Sequence, residues 1–328
     1  MLKRRLASIV VFVVSEFLAS AYVTASPLSP GDIVIADVAN TCVLQYGPNG
    51  VLKDTIAVAE APVGVSVTPQ GNILVTSFTG SGSSVTSRIS TYSSTGSLLN
   101  TSTSPSDHAV IFGLSQASDG TLIAAAGNST IWRHNASLNT WTSYIAAFSP
   151  ASGDETMGVD AAPTGGWWVT DHGSKHFSKF GSNGVLLGVY ATLNTPGGIA
   201  VSPTDGSIWI AEANGTSGYV RHYNQNTSAL MGSFPIDTAS TVVSIDFALD
   251  GSIYVGDMNG SAVPGKHVSQ YSTAGTLLSS FSLPLDSSPQ FLAVAPSSVP
   301  EPGIIAAVAG VSLFLVRRPG RTGKGRQR

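Results

Sequence analysis

The sequence predicts an all-β fold in which six copies of a four-stranded unit form a ring. Three observations predict it. Only 11% of the 328 residues are charged and 35 are glycine, one apolar strand motif recurs six times, and a single unpaired strand follows the last repeat. Many short strands joined by tight turns fit this composition better than solvated helices do.

The repeated motif is a turn glycine followed by a short apolar strand. A shorter apolar segment precedes each turn, and a third strand and a hairpin follow it. Four antiparallel strands in about 45 residues are typical of a β-propeller blade, so six repeats predict a six-bladed propeller. The six copies are GDIVIAD (31–37), GNILVTS (71–77), GTLIAAA (120–126), GGWWVTD (165–171), GSIWIAE (206–212) and GSIYVGD (251–257).

The strand count predicts how the ring closes. The first repeat lacks the strand that precedes the turn in every other copy, whereas PQFLAVAP (289–296) follows the last repeat without a partner. We expect this strand to pair beside residues 33–36 and complete the first blade, because pairing removes exposed strand edges. The propeller domain is therefore predicted over residues 26–298.

Charge is distributed unevenly along the chain. Residues 26–303 carry 7 basic and 18 acidic side chains, a net charge of −11, although the whole chain has a net charge of −3. A body this acidic disfavours nucleic acid and anionic lipid as partners, while cations and neutral glycans remain possible. Cys42 is the single cysteine, so the fold has no internal disulfide.

Residues 1–25 are predicted to be a cleavable secretory signal peptide. Basic residues at positions 3–5 precede an apolar segment from Leu6 to Val14, and small residues at 23–25 lead to Ser26. We expect export by the Sec machinery, with an uncleaved N-terminal anchor as the alternative.

Residues 299–328 combine a proline motif, an apolar run and a basic tail. The apolar run spans 13 residues, 304–316, which is short against the roughly 20 of a typical membrane helix. Six basic residues follow and favour a cytoplasmic position for the tail after export. We expect a short transmembrane helix that anchors the chain transiently in the inner membrane. The motif and the first two basic residues are Val299, Pro300, Glu301, Pro302, Arg317 and Arg318.

These features together resemble the PEP-CTERM sorting signal of Gram-negative and planctomycete bacteria. The resemblance implies recognition by an exosortase, cleavage near Pro-Glu-Pro, and delivery to the cell surface, outer envelope or extracellular matrix. The tail departs from the pattern because PGRTGKGRQR extends it beyond the arginine pair. An ordinary anchor that is never cut is the alternative.

The stretch PGGIAVSPTDGSIWIAEANG resembles the NHL-type six-bladed propellers. That resemblance covers about 265 residues and implies the fold rather than an activity.

Two groups of acidic residues are candidate sites. Asp160 and Asp246 occupy the same place in the first strand of their repeats, beside the predicted channel. They are weak candidates for a Ca²⁺ site of the kind that gluconolactonase-like propellers imply, and the alternative is that they hydrogen-bond neighbouring blades. Another acidic group ends the second strand in four repeats, where we favour a structural role over cation binding: Asp37, Asp171, Glu212 and Asp257.

No residue pattern predicts a catalytic centre. His172 and His176 share one loop, and a general base there is the less favoured alternative to incidental surface histidines. The sequence therefore predicts an exported, non-catalytic binding or scaffold protein, with a surface glycan or exopolysaccharide as a possible ligand. The alternative is a cation-dependent hydrolase or lyase, lactonase-like, that acts on small or glycan-derived substrates.

Overall fold

The structure, a computed structural model, describes most of residues 26–299. The described ranges are 26–103, 109–117, 119–135, 140–146, 155–163, 165–215, 217–236, 242–257 and 266–299.

The described chain forms six antiparallel sheets of four strands, which we call blades 1 to 6. Blade 1 contains β24 (Pro289–Val294), β1 (Ile33–Asp37), β2 (Cys42–Tyr46) and β3 (Leu52–Ala57); blade 2 contains β4 (Ala61–Val67), β5 (Ile73–Thr79), β6 (Thr86–Tyr92) and β7 (Leu98–Thr103); blade 3 contains β8 (Ile111–Gln116), β9 (Leu122–Ala126), β10 (Thr130–Asn135) and β11 (Thr140–Ala146). Blade 4 contains β12 (Thr156–Ala161), β13 (Trp167–Asp171), β14 (His176–Phe180) and β15 (Leu186–Ala191); blade 5 contains β16 (Thr195–Val201), β17 (Ile208–Asn214), β18 (Ser217–Tyr223) and β19 (Leu230–Ile236); blade 6 contains β20 (Val242–Phe247), β21 (Ile253–Asp257), β22 (His267–Tyr271) and β23 (Leu277–Ser282).

The inner strands form a closed ring. In order around the ring they are β24, β4, β8, β12, β16 and β20, and each contacts the next, with β20 returning to β24. The prediction of an all-β, six-bladed propeller is therefore confirmed.

The C-terminal strand closes the ring as the strand count predicts. β24 pairs antiparallel with β1, with Ile33 opposite Val294 and Ile35 opposite Leu292. The pairing continues past the strand ends, where Ala295 N donates to Asp32 O at 2.7 Å. The first and last described strands thus belong to one sheet, and the inner edge of β1 is paired.

Burial differs systematically across each blade. The second strands are buried along their whole length in blades 1, 3, 4 and 6, because neighbouring blades cover both of their faces. The outermost strands carry exposed positions throughout, as in β7 and β23. The core consequently lies between blades, where apolar side chains of adjacent sheets interdigitate.

The two ends of the propeller differ in their connections. We call the end with the glycine turns, such as residues 68–72 and 162–166, the turn face. The opposite end carries the loops between second and third strands, such as residues 38–41 and 172–175, and we call it the loop face.

Candidate functional site: the central channel

The channel encloses a small cavity lined by residues of all six inner strands. Its volume is about 70 Å³. Backbone groups and small or apolar side chains form most of the wall, and the two ionisable residues of the lining are Asp160 and Asp246. The structure therefore brings the two predicted acids together in one cavity, towards its turn-face end.

Asp160 links three blades. Its Oδ1 accepts hydrogen bonds from Ser115 Oγ of blade 3 at 2.9 Å and from Ala161 N at 2.8 Å. Its Oδ2 accepts a bond from Val201 N of blade 5 at 2.8 Å. The carboxylate thus satisfies backbone groups at the ends of neighbouring inner strands.

Asp246 makes the equivalent link between blades 6 and 1. Its Oδ1 accepts a hydrogen bond from Phe247 N at 2.7 Å, and its Oδ2 accepts one from Val294 N of the closing strand, also at 2.7 Å. Both acids therefore bond the following blade, which is the structural alternative stated above.

The channel raises the proton affinity of both acids. Burial raises the pKa of Asp160 above its ordinary value, against hydrogen bonds from Val201, Ser115 and Ala161 that lower it. Burial also raises the pKa of Asp246 to about 7, and the negative charge of Asp160 adds to this effect. A carboxyl with a pKa near 7 is partly protonated at neutral pH.

We expect the stability of the wild-type protein to fall as the pH rises from about 4 to about 7. The native state keeps a proton on Asp246 in this range, whereas the unfolded state loses it near pH 3.9. The native state then binds more protons, so the free energy of unfolding decreases with pH and levels off above pH 7. Thermal unfolding should show a fall in Tm on the order of 5 °C.

The matched control is Asp246→Asn, which keeps an oxygen acceptor and does not titrate. The difference in Tm between wild type and variant should change across this pH range, because titrating groups outside the coupled pair of Asp160 and Asp246 contribute equally to both proteins. A constant difference would contradict the raised pKa.

The two channel acids fit a calcium site poorly. Ca²⁺ takes six to eight oxygen ligands, and Asp160 and Asp246 supply two carboxylates already engaged by backbone N–H groups. Within the described ranges, no group of three or more His, Cys, Asp or Glu side chains is placed to hold a metal ion.

Acidic residues at the ends of the second strands accept hydrogen bonds from loops of the loop face. Asp37 Oδ1 accepts hydrogen bonds from Ala39 N at 3.2 Å and from Ser288 N at 2.8 Å. Asp171 Oδ1 accepts one from Ser174 N at 2.8 Å. These contacts are of the kind that the structural interpretation predicts for both residues.

Glu212 belongs to a buried network that the sequence did not indicate. It forms an ion pair with Arg221, and its Oε1 accepts a hydrogen bond from Tyr223 OH at 2.8 Å. All three side chains are buried. Burial and the adjacent Glu212 raise the pKa of Tyr223. The partners are 9 and 11 residues apart and meet only through the pairing of β17 with β18.

The histidine loop is a surface feature. His172 is exposed, and its backbone N donates to Glu155 O at 2.8 Å. His176 begins β14 and is half-buried. Neither residue lines the channel, so the structure does not join them to Asp160 and Asp246.

The structure describes one residue of the predicted sorting motif. Val299 is 3% exposed and packs in the core cluster between blades 1 and 2, so the propeller core includes it. The predicted signal peptide (1–25) lies outside the described residues, as does the segment 300–328, which contains Pro300, Glu301, Pro302, Arg317 and Arg318. Among the helices that the structure describes, none has the length and apolar composition to cross a membrane.

The sequence did not predict a second cavity. It is a groove of about 440 Å³ between blades 2 and 3, open towards the turn face and lined mainly by uncharged polar side chains and two leucines. One sequence feature could have indicated this groove: Leu74 occupies a position at which three other repeats have Trp or Tyr.

Comparison with known proteins supports the fold alone. No protein-family model and no curated protein matches the chain. A nidogen/laminin complex structure matches with a TM-score of 0.63 and 11% identity, covering 81% of this chain and 98% of that chain. A Bacteroides caccae protein of unknown function matches with a TM-score of 0.62 and 12% identity, with the same coverage of 81% and 98%.

An enzyme is among the structural neighbours as well. The virginiamycin B lyase of Staphylococcus aureus matches with a TM-score of 0.54 and 18% identity, covering 70% of this chain and 73% of that chain. At these identities the likeness shows a shared propeller fold, and propellers of this shape include both binding proteins and enzymes.

Proposed function

We propose that this protein is an exported β-propeller that acts at the cell surface or in the extracellular matrix as a non-catalytic binding or scaffold protein. The contrast between the channel and the groove between blades 2 and 3 carries the proposal. The channel has a volume of about 70 Å³ and the groove between blades 2 and 3 has about 440 Å³. Sites for small molecules typically span about 300–1,000 Å³. The groove meets that size, and the channel has room for a few water molecules.

The residues of the channel support a structural role for its acids. The carboxylate oxygens of Asp160 and Asp246 accept bonds from Val201 N and Val294 N, each on the next blade. These hydrogen bonds hold adjacent blades of the ring together. We therefore expect a ligand to bind outside the channel.

The sequence features at the two ends support the route of delivery. The signal peptide would direct export, and an exosortase-type enzyme would recognise the PEP-CTERM segment while its apolar run holds the chain in the inner membrane. The motif and the basic tail that would carry this sorting are Val299, Pro300, Glu301, Pro302, Arg317 and Arg318.

We expect the mature chain from the native host to begin near Ser26 and to end just beyond Val299. Mass spectrometry of both termini in envelope and medium fractions measures this directly. Val299 should be retained because its side chain is buried in the propeller core. Glu301→Ala provides the matched variant and should accumulate as an uncut, membrane-bound chain. Wild-type chains that all retain Arg317 would contradict sorting by cleavage.

A second function, a lactonase-like hydrolase or lyase that depends on a channel cation, is favoured by one observation. The pKa of Asp246 is raised to about 7, which suits a general acid or base at neutral pH. The virginiamycin B lyase of similar fold makes this chemistry a reasonable alternative. It would require substrate at the turn-face end of the channel, and Asp246→Asn would then abolish turnover.

A further inference from the structure

The groove lies between two facing rows of side chains. In blade 2, Leu74, Thr91 and Asn100 lie opposite one another on β5, β6 and β7. In blade 3, Leu122 lies between Gln116 on β8 and a histidine on β10. Because strands alternate their faces, each row presents its side chains towards the other blade. The two leucines belong to the core cluster between these blades and form the floor.

Beside the groove, blade 2 lacks an aromatic residue that three of the other five blades possess. The position of Leu74 corresponds to Trp168 in blade 4, Trp209 in blade 5 and Tyr254 in blade 6. These rings are at most 4% exposed and pack against the following blade. Tyr254 even reaches Pro48 O with its hydroxyl, at 3.2 Å. Leu74 is shorter than these rings, and the groove of about 440 Å³ lies beside it.

The polar lining includes side-chain amides that a ligand can hydrogen-bond in place of water, and two of them, Gln70 and Asn100, are exposed. The side-chain amides of Gln70, Asn72 and Asn100 make no hydrogen bond to any residue that the structure describes. Gln116 Nε2 donates to Gly120 O at 3.2 Å, and its buried Oε1 accepts no bond within the described ranges. Each amide offers both donors and acceptors.

The lining also lacks formal charge. Of the described residues that line the groove, none is Asp, Glu, Lys or Arg, and His134 is the titratable side chain among them. An anionic or cationic ligand would lose hydration there without an ion pair in return. A hydroxyl group, which both donates and accepts, matches an amide, and the floor of Leu74 and Leu122 matches the C–H face of a sugar ring.

We propose that the groove between blades 2 and 3 binds an uncharged, hydroxyl-rich ligand, namely a neutral oligosaccharide segment of a surface glycan. This inference rests on the proposed function as a binding protein and assigns that function a site and a ligand class. The amides of Gln70, Asn72, Asn100 and Gln116 bind the hydroxyls, while Leu74 and Leu122 contact the ring.

Isothermal titration calorimetry of the purified full-length protein tests the site. The probes are neutral gluco-, manno-, galacto- and xylo-oligosaccharides, with oligogalacturonate as the charged counterpart of the galactose series. We expect at least one neutral series to bind and oligogalacturonate to bind at least about tenfold more weakly than that series, a difference of about 1.4 kcal/mol.

Leu74→Trp is the decisive variant, because blades 4 and 5 already accommodate Trp at this position. It should fill the groove and weaken binding by more than about thirtyfold, roughly 2 kcal/mol, with little change in Tm. Leu285→Trp is the matched control at a site 86% exposed and distant from the groove, and it should bind as wild type does. If Leu74→Trp does not fold, Asn100→Ala with Gln70→Ala replaces it, with an expected loss of about tenfold.

Three results would overturn the proposal: no neutral oligosaccharide binds, oligogalacturonate binds as tightly, or filling the groove leaves affinity unchanged. The proposed function fails separately. If the terminal mass spectrometry and fractionation still place the chain at the surface, a negative titration removes the glycan site and leaves the surface role intact.

Discussion

A chain that ends at Ser288 is expected not to fold into the propeller. This truncation removes β24 (Pro289–Val294), the inner strand of blade 1, and with it the contacts of that strand to β1, β4 and β20. Phe291, Leu292 and Val294 are each at most 8% exposed. Burial of one such side chain contributes about 1.5–3 kcal/mol, so the three account for much of a total stability of about 5–15 kcal/mol.

Circular dichroism and thermal unfolding measure this effect, with a chain that ends at Val299 as the control. The control should unfold cooperatively, whereas the truncated chain should aggregate or show no transition, because the inner edge of β1 is then unpaired. Leu292→Ala gives a milder test and should cost about 2–5 kcal/mol. A truncated chain that unfolds cooperatively at the control Tm would contradict the closure.

The second large effect is expected where inner strands approach most closely. A Cβ atom at Gly113 would lie 2.4 Å from Met157 O of blade 4, and one at Gly64 would lie 2.1 Å from Phe112 O of blade 3. Both neighbours are backbone atoms, which cannot rotate away. We therefore expect Gly113→Ala to lower the free energy of unfolding by about 3 kcal/mol or more.

Gly256→Ala is the matched control for this substitution. Its added Cβ would meet the end of the Leu292 side chain at 3.1 Å, and a leucine methyl can shift. We expect a cost below about 1 kcal/mol, which urea denaturation can resolve from the effect at Gly113. Equal losses in the free energy of unfolding at both sites would contradict the claim that the close approach of the inner strands excludes a side chain at Gly113.

The repeat made most of the fold predictable. Each copy carries the same turn glycine and strand pattern, and the unpaired strand at 289–296 determined the closure, which the pairing of Ile33 with Val294 confirms. The same alignment placed Asp160 and Asp246 in equivalent positions beside the channel. A motif that recurs six times constrains an architecture more strongly than any single segment does.

Features that depend on strand register or on distances between repeats were not predictable in this way. Glu212 and Arg221 meet only because β17 and β18 pair in one register. The groove beside Leu74 involves both a residue without an aromatic ring and the distance between blades 2 and 3. A sequence does not give that distance. Val299 falls in the sorting motif by pattern, yet its side chain completes the propeller core. The sorting of the chain remains a prediction from its ends.

The most direct test of the proposed non-catalytic function determines whether the channel acids bind calcium or instead only accept hydrogen bonds from neighbouring blades. The measurement is a titration of Tm with Ca²⁺ for the EDTA-treated wild type, Asp160→Asn and Asp246→Asn. If the role of the carboxylates is to accept hydrogen bonds from Val201 N and Val294 N, we expect Ca²⁺ to leave Tm unchanged in all three proteins. Stabilisation of the wild type by about 2.7 kcal/mol at a hundredfold excess over Kd, lost in both variants, would contradict a structural channel and favour the enzyme.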